Sequence, residues 1–226
     1  MSKKVLLTGV SGYVGLHCVK TLLEKGYHVT GSVRNKSKQQ EVISTLNSAS
    51  VSIEHLSFTH LDLNSDKGWD EALSNCDYVM HVASPFTIEN PKNESEMFAP
   101  AIDGTLRVLK FAKKNGVKRV VLTSSTVAIM GGRKTGKITP EDWTDLNSKN
   151  LNTYFKSKTL AEQAAWNFLL KILSVFNREA KGMLTMLGMN LSADNSKTMD
   201  VFDWKPIPFE KTVLDTAKAV KKIIAH

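Results

Sequence analysis

A tyrosine and a lysine four positions apart could carry out chemistry in this sequence. Tyr154 and Lys158 stand in the run Tyr-Phe-Lys-Ser-Lys, and on a helix this spacing places both side chains on one face. A lysine ammonium stabilises a nearby phenolate, so such a phenol can exchange a proton with a carbonyl or alcohol oxygen. Surface pairs also show this spacing. The pair is a more specific sign of catalytic chemistry when it is taken together with Ser124 and Ser125, which follow a predicted central strand.

Three glycines lie directly between the first apolar run and the helical pattern that follows it. Gly9, Gly12 and Gly15 suit a tight turn, a close approach of backbone to pyrophosphate, and close helix–strand packing. A purely structural turn is the alternative, but the position after a strand and before a helix favours a dinucleotide site. The predicted cofactor-binding residues of this loop are Thr8, Gly9, Ser11, Gly12, Tyr13, Val14 and Gly15.

The residues after the second predicted strand select between NAD and NADP. Arg34 stands there with Lys36 and Lys38 close behind, and no carboxylate occurs between residues 30 and 40. An acidic residue would favour the ribose hydroxyl of NAD, whereas arginine favours the extra phosphate of NADP. A solvated basic loop would explain the lysines but not so readily the absence of any acid. The sequence therefore predicts NADP(H), with Arg34 and Lys36 as binding residues.

Apolar runs alternate with amphipathic segments, and this alternation predicts the scaffold. The predicted strands span residues 5–8, 27–33, 53–59, 78–82 and 119–123, and the predicted helices span 12–24, 37–45, 69–73, 97–115 and 153–177. Parallel strands joined by helical crossovers form a sheet with helices on both faces. The predicted fold class is α/β, a doubly wound parallel sheet (Rossmann-like).

The segment after the last predicted strand has a different character. Alanine and leucine suit one long buried helix over 153–177, and shorter helices are predicted at 181–188, 196–202 and 213–224, with an extended connector at 204–208. We expect an NADP-binding domain over residues 1–168 and a short, mostly helical carboxyl-terminal appendage over 169–226.

Composition excludes several classes of protein. The net charge of +8 arises from lysines scattered through the 226 residues, without a nucleic-acid-binding motif. The amino terminus lacks a signal-peptide pattern, and no apolar run is long enough to span a membrane. Cys18 and Cys76 have no second ligand nearby, so no metal site is predicted. We expect a cytoplasmic protein that binds neither nucleic acid nor membrane.

Residues 8–15, 123–125 and 154–158 together resemble an extended short-chain dehydrogenase/reductase of the NAD-dependent epimerase/dehydratase superfamily. The runs 32–34, 81–85, 104–105 and 154–162 are similar to those of the dihydroflavonol-4-reductase-like subgroup. The resemblance covers about the first 168 residues. It implies an NADP(H)-dependent oxidoreductase that transfers hydride between nicotinamide and a carbonyl or alcohol substrate.

The resemblance also implies roles for individual residues. Tyr154 would be the general acid in reduction, Ser125 would bind the substrate oxygen, and Lys158 would hold the nicotinamide ribose. Ser124 is the alternative to Ser125. The implied residues of the adenine, ribose and pyrophosphate sites are Asp62, Leu63, Ala83 and Ser84.

The sequence departs from the family after the Tyr-Lys helix. Relatives continue into a sixth strand and most of a substrate domain, whereas this chain passes into sequence that resembles the family's terminal helices. Loss of substrate contacts would weaken positioning, so a shortened, non-catalytic NADP(H)-binding protein is the first alternative. A nucleotide-sugar epimerase or dehydratase is the second, and it fits Arg34 less well. The fifth strand would form an uncovered edge unless a helix or a second copy covers it, which raises the prospect of a homodimer.

Overall fold

Five short apolar runs form the five strands of one parallel sheet. They are β1 (Lys4–Thr8), β2 (His28–Val33), β3 (Leu56–His60), β4 (Tyr78–His81) and β5 (Arg119–Leu122), in the order β3-β2-β1-β4-β5. The central strand β1 is apolar over most of its length, and its Leu6 and Leu7 are fully buried. Burial on both faces explains the continuous apolar run, which is typical of parallel sheets.

The computed structural model describes residues 3–85, 91, 93–132, 135–139, 142–149, 151–184 and 211. The chain divides into two units, residues 1–185 and 186–226, and the second contains a single described residue, Lys211. All five strands lie in the first unit.

Seven helices accompany the strands in the described part of this first unit. They are α1 (Tyr13–Glu24), α2 (Lys36–Ser48), α3 (Trp69–Leu73), α4 (Ser95–Lys114), α5 (Val127–Met130), α6 (Thr153–Phe176) and α7 (Arg178–Met183). Two of these helices, α2 and α6, have an asparagine side chain as their N-cap. Asn35 accepts a hydrogen bond from the Lys38 amide at 2.9 Å, and Asn152 accepts one from the Phe155 amide at 2.9 Å. Both bonds satisfy amides that the first helical turn leaves unpaired.

Two apolar clusters lie on opposite faces of the sheet. Leu6 belongs to a cluster with Trp69 and Val108 from α3 and α4, whereas Leu7 belongs to a cluster with Val19 and Val42 from α1 and α2. Successive residues of a strand point to opposite faces, so neighbouring leucines serve different cores. The predicted doubly wound α/β fold is confirmed.

The predicted elements agree with the structure apart from some ends. The strand predicted at 53–59 begins at Leu56, because the Leu56 amide donates to the Ile53 carbonyl at 3.0 Å and closes a turn there. Of the helix predicted at 181–188, residues 181–183 belong to α7 (Arg178–Met183), whereas residues 185–188 lie outside the described residues. Helix α5 was not predicted. The segments predicted at 196–202, 204–208 and 213–224 lie outside the described residues.

Burial along α6 differs from the prediction of one long buried helix. Ser157, Thr159 and Ala161 in its first half are buried, but Leu173 and Phe176 in its second half are 56% and 84% exposed. The prediction was wrong for this half because helix propensity and apolar content do not report which turns a neighbouring element covers.

Candidate functional site

Most of the predicted site residues follow the carboxyl ends of the strands. The glycine loop follows β1, Arg34 follows β2, and Asp62 lies shortly after β3. Ala83 follows β4, while Ser124 and Ser125 follow β5. Because the sheet is parallel, these ends lie along one edge, where open α/β sheets bind ligands.

The three glycines of the loop meet different constraints. Gly9 has a φ of +71°, and a Cβ built there would lie 2.8 Å from backbone atoms of Ala83. A Cβ on Gly15 would lie only 2.1 Å from the Gly9 carbonyl oxygen. Gly12 has a φ of −82°, and its Cβ would meet nothing closer than 3.4 Å. The fold therefore requires glycine at 9 and 15, whereas an added Cβ at position 12 would make only an ordinary contact.

Helix α1 begins at this loop and presents its first turn to solvent. Gly12 precedes the helix without a side-chain cap, and Tyr13 and Val14 are 81% and 50% exposed. The first amides of a helix lack internal partners and carry the positive end of the helix dipole. This loop can therefore accept a phosphate group against backbone amides.

The hydroxyl of Thr8 is bonded within the protein. Its Oγ1 lies 2.7 Å from His81 Nδ1 and accepts a hydrogen bond from the Ala83 amide at 3.1 Å. Thr8 and His81 are both buried. Burial, together with the charge of Lys158, lowers the pKa of His81 from 6.5 to about 4. Thr8 thus links β1 to the chain after β4 beside the glycine loop, an arrangement that the glycine pattern does not reveal.

The basic residues after β2 divide into paired and unpaired groups. Lys38 binds Glu41 at 2.7 Å. Arg34 and Lys36 are exposed, and no ion pair joins them to a carboxylate of the described residues. These two side chains are therefore available to an anionic ligand.

The loop after β3 is held by two residues outside the predicted site. Trp69 Nε1 donates to the Asp62 carbonyl at 3.3 Å, and Arg107 Nη1 donates to the Leu63 carbonyl. The Asp62 carboxylate accepts from the Asn64 amide at 2.8 Å and is exposed. Arg107 lies 44 positions after Leu63, so sequence spacing could not identify this contact.

Tyr154 and Lys158 lie in the first turns of α6, where the tyrosine–lysine spacing was predicted. Lys158 is half-buried, and burial lowers its pKa while the nearby carboxylate of Glu162 opposes that shift. Its charge in turn lowers the pKa of His81. Lys158 therefore lies within electrostatic range of the end of β4 and of the Thr8–His81 pair.

Hydrogen bonding distinguishes the two serines after β5. Ser124 Oγ donates to Glu162 Oε2, and Glu162 also accepts from Trp166 Nε1 at 3.4 Å. Ser125 Oγ instead accepts from the Val127 amide at 3.4 Å. The Ser124 hydroxyl donates its proton to a carboxylate. The Ser125 hydroxyl only accepts in its bond with Val127, so its proton can be donated to another acceptor.

Two other findings concern the described residues only. No group of three histidine, cysteine, aspartate or glutamate side chains among them could hold a metal ion. None of their helices is both long and apolar enough to cross a membrane.

Comparison with known proteins agrees with this geometry. The NAD dependent epimerase/dehydratase family matches residues 5–172. Dihydroflavonol 4-reductase from Arabidopsis thaliana is 37% identical over 174 residues, which are 73% of this chain and 44% of that protein. Tetraketide alpha-pyrone reductase 1 from the same plant is 38% identical over 171 residues, 73% of this chain and 52% of that protein.

A solved structure gives the same result. Yeast methylglyoxal/isovaleraldehyde reductase Gre2, crystallised with NADPH, has a TM-score of 0.64 and 27% identity, over 78% of this chain and 54% of the yeast chain. The chain thus spans about half the length of the relatives it matches.

Proposed function

Because the chain belongs to the NAD dependent epimerase/dehydratase family, we propose that it is an NADP(H)-dependent reductase acting on a ketone or aldehyde. One observation supports this function most directly. The half-buried Lys158, one helical turn after Tyr154, is electrostatically coupled to His81, which is bonded to the residue that begins the glycine loop. The proton donor Tyr154 and its activating cation Lys158 would thereby lie beside the loop that binds the dinucleotide.

The residues at the carboxyl ends of the strands offer groups suited to each part of NADP(H). The glycine loop and the first turn of α1 would hold the pyrophosphate, with Ala83 and Ser84 beside it. Arg34 and Lys36 would bind the 2′-phosphate, since they have no carboxylate partner among the described residues. Asp62 and Leu63 would flank the adenine. The yeast relative was solved with NADPH, and the bound dinucleotide would supply the hydride.

The protein's own groups would manage the oxygen of the substrate. Ser125, whose hydroxyl proton is not used by Val127, would donate a hydrogen bond to the carbonyl oxygen. As hydride adds to the carbon, Tyr154 would transfer its phenolic proton to that oxygen, which gives the alcohol and leaves a phenolate. Lys158 would stabilise this phenolate, and partial burial strengthens the interaction because the local dielectric is lower than in water. A proton from solvent would restore Tyr154.

We also propose that residues 1–168 form the NADP-binding domain and residues 169–226 a helical appendage, and that a second copy of the chain is its partner along β5. β5 is an end strand of the described sheet, and its Val121 is 48% exposed. Light scattering coupled to size exclusion would test the dimer, and a monomer at micromolar concentration would refute it.

The main test combines binding and turnover. NADPH is titrated by fluorescence, and aldehydes and ketones are then screened for loss of absorbance at about 340 nm, where reduced nicotinamide absorbs. Tyr154→Phe should still bind NADPH but lose turnover by two orders of magnitude or more, as general acid catalysis contributes about 10²–10⁴-fold. Tyr78→Phe is the matched control, because Tyr78 lies at the amino end of β4, whereas the proposed site lies at the carboxyl ends of the strands.

Two outcomes would overturn the proposal in different ways. Tight NADPH binding without any turnover that depends on Tyr154 would indicate a non-catalytic NADP(H)-binding protein. Failure to bind NADPH would exclude both functions.

A further inference from the structure

A buried threonine–histidine pair joins the ends of two central strands directly beneath the glycine loop. In the parallel register of β1 and β4, Thr8 is the partner of His81. The two side chains meet at 2.7 Å between Oγ1 and Nδ1, with exposures of 0% and 2%. The His81 carbonyl also accepts a hydrogen bond from the Thr123 amide at 2.9 Å. His81 therefore contacts both neighbours of its strand at their carboxyl ends.

The directions of the hydrogen bonds follow from the donors available. The Ala83 amide can only donate, so Thr8 Oγ1 accepts its bond at 3.1 Å. The threonine hydroxyl has one proton of its own, which it can donate to Nδ1 when the neutral imidazole carries its proton on Nε2. In that tautomer the Ala83 amide, the Thr8 hydroxyl and Nδ1 each take part in a hydrogen bond. Burial and the charge of Lys158 hold His81 in the neutral form, since its pKa falls to about 4.

This chain of contacts controls where the first glycine lies. Ala83 packs so closely on Gly9 that a Cβ at Gly9 would stand 2.8 Å from the alanine backbone. On the other side, the Gly9 amide donates to Ser32 Oγ at 3.4 Å. Gly9 is therefore held between two elements, and the position of one of them depends on the bond from Ala83 to Thr8.

We propose that His81 is a positioning residue for the dinucleotide. As a neutral acceptor at Nδ1 it orients the Thr8 hydroxyl, which fixes Ala83 and thereby the glycine loop. This inference rests on the proposed NADP(H)-binding function, because it concerns the affinity of the same loop. His81 touches neither the cofactor nor the substrate in this scheme and acts only through Thr8 and Ala83.

Four single variants separate hydrogen bonding from packing. His81→Leu fills the site without an acceptor, whereas His81→Asn offers an amide oxygen near the place of Nδ1. Thr8→Val keeps the shape of threonine and removes its hydroxyl. Thr30→Val is the matched control, since the Thr30 hydroxyl bonds Ser57 at 3.0 Å between β2 and β3 of the same sheet, away from the loop.

Two readouts are measured for each variant: the Kd for NADPH by fluorescence and the hydrogen-exchange rate of the Ala83 and Gly9 amides by NMR without cofactor. His81→Leu and Thr8→Val should each weaken NADPH binding about tenfold, the equivalent of ~1.4 kcal/mol, and speed exchange of the Ala83 amide about tenfold. The double variant should be little worse than either single one, because both remove the same link. His81→Asn should recover most of the affinity, and Thr30→Val should alter neither readout.

The alternatives give different results. Equal losses in His81→Leu and His81→Asn would show that ring volume matters rather than the acceptor, and would overturn the proposal. Unchanged exchange and affinity in Thr8→Val would overturn it as well, and this variant serves if the histidine variants do not fold. If the unaltered protein does not bind NADPH, the proposed function fails, and the exchange rates alone then decide whether His81 positions the loop.

Discussion

Replacing Gly15 with alanine tests whether close backbone packing in the glycine loop requires glycine at this position. The added Cβ would lie 2.1 Å from the Gly9 carbonyl oxygen and 2.9 Å from the Gly9 carbonyl carbon and Val10 Cα. All three atoms belong to the backbone, so no side chain can rotate away. Relief requires α1 or the glycine loop to move by roughly 1 Å, the distance needed to restore an ordinary contact between atoms.

The size of the effect follows from this displacement. Overpacking of a tight site costs about 1–3 kcal/mol, and a backbone obstacle places Gly15→Ala at the upper end. At about 2–4 °C per kcal/mol for a chain of this size, the melting temperature should fall by roughly 6–12 °C. A 1 Å misplacement of reacting groups can cost about 100-fold in rate, so turnover with NADPH should fall by roughly that factor, and the Kd for NADPH should rise.

Gly12→Ala is the matched variant in the same loop. Its φ of −82° suits any residue, and its nearest contact would be 3.4 Å away. Urea unfolding should therefore show a loss of no more than about 1 kcal/mol, the cost of placing alanine before a helix. Any larger loss of NADPH affinity would then come from obstruction of the pyrophosphate. If Gly15→Ala unfolds at the same urea concentration as the unaltered chain and binds NADPH equally well, the packing argument is wrong.

Three further predictions concern charge and hydrogen bonding. Because the pKa of His81 is lowered from 6.5 to about 4, the unfolded chain binds more protons between these values. Stability is therefore complete above pH 6.5 and should fall by on the order of 3 kcal/mol as pH drops to about 4. Urea unfolding of His81→Asn should show a smaller loss over that window, and an identical pH profile would refute the assignment. Ser125→Ala should lower kcat about tenfold or more by loss of one hydrogen bond to the substrate oxygen, whereas Ser124→Ala should mainly lower the melting temperature, because its hydroxyl binds Glu162. The reverse order of kcat values would give the substrate role to Ser124. Arg34→Ala should raise KM for NADPH about tenfold or more and leave KM for NADH nearly unchanged, since a charge-assisted bond contributes about 1.5–3 kcal/mol; equal effects on both cofactors would place the 2′-phosphate elsewhere.

The sequence was sufficient for the parts of the fold that depend on local patterns. The five strands and the order of the elements follow from apolar runs and turns. The glycine loop is recognisable because Gly9 has a positive φ and a Cβ on Gly15 would meet Gly9, six residues earlier. The exposure of Phe176 and the short helix α5 could not be predicted in this way, because both depend on tertiary packing.

The same distinction applies within the candidate site. The tyrosine–lysine spacing is local and visible in the sequence. The bond from Arg107 to the Leu63 carbonyl joins residues 44 positions apart, and the bond from Thr8 to His81 joins residues 73 positions apart. Contacts of this kind carry no periodic signal. The glycine pattern places Thr8 in the predicted cofactor site, but it does not reveal that the Thr8 hydroxyl is bonded to His81 and Ala83.

Electrostatics connects the two halves of the proposed site. The charge of Lys158 lowers the pKa of His81, and burial lowers the pKa of both side chains. Two neighbouring positive charges shielded from water would repel each other, so protonation of His81 is disfavoured while Lys158 carries its proton. A neutral imidazole with its proton on Nε2 leaves Nδ1 free to accept a hydrogen bond from the Thr8 hydroxyl. The charge that would stabilise the phenolate of Tyr154 therefore adds to the effect of burial on His81, and both favour the neutral imidazole beside the Thr8 hydroxyl.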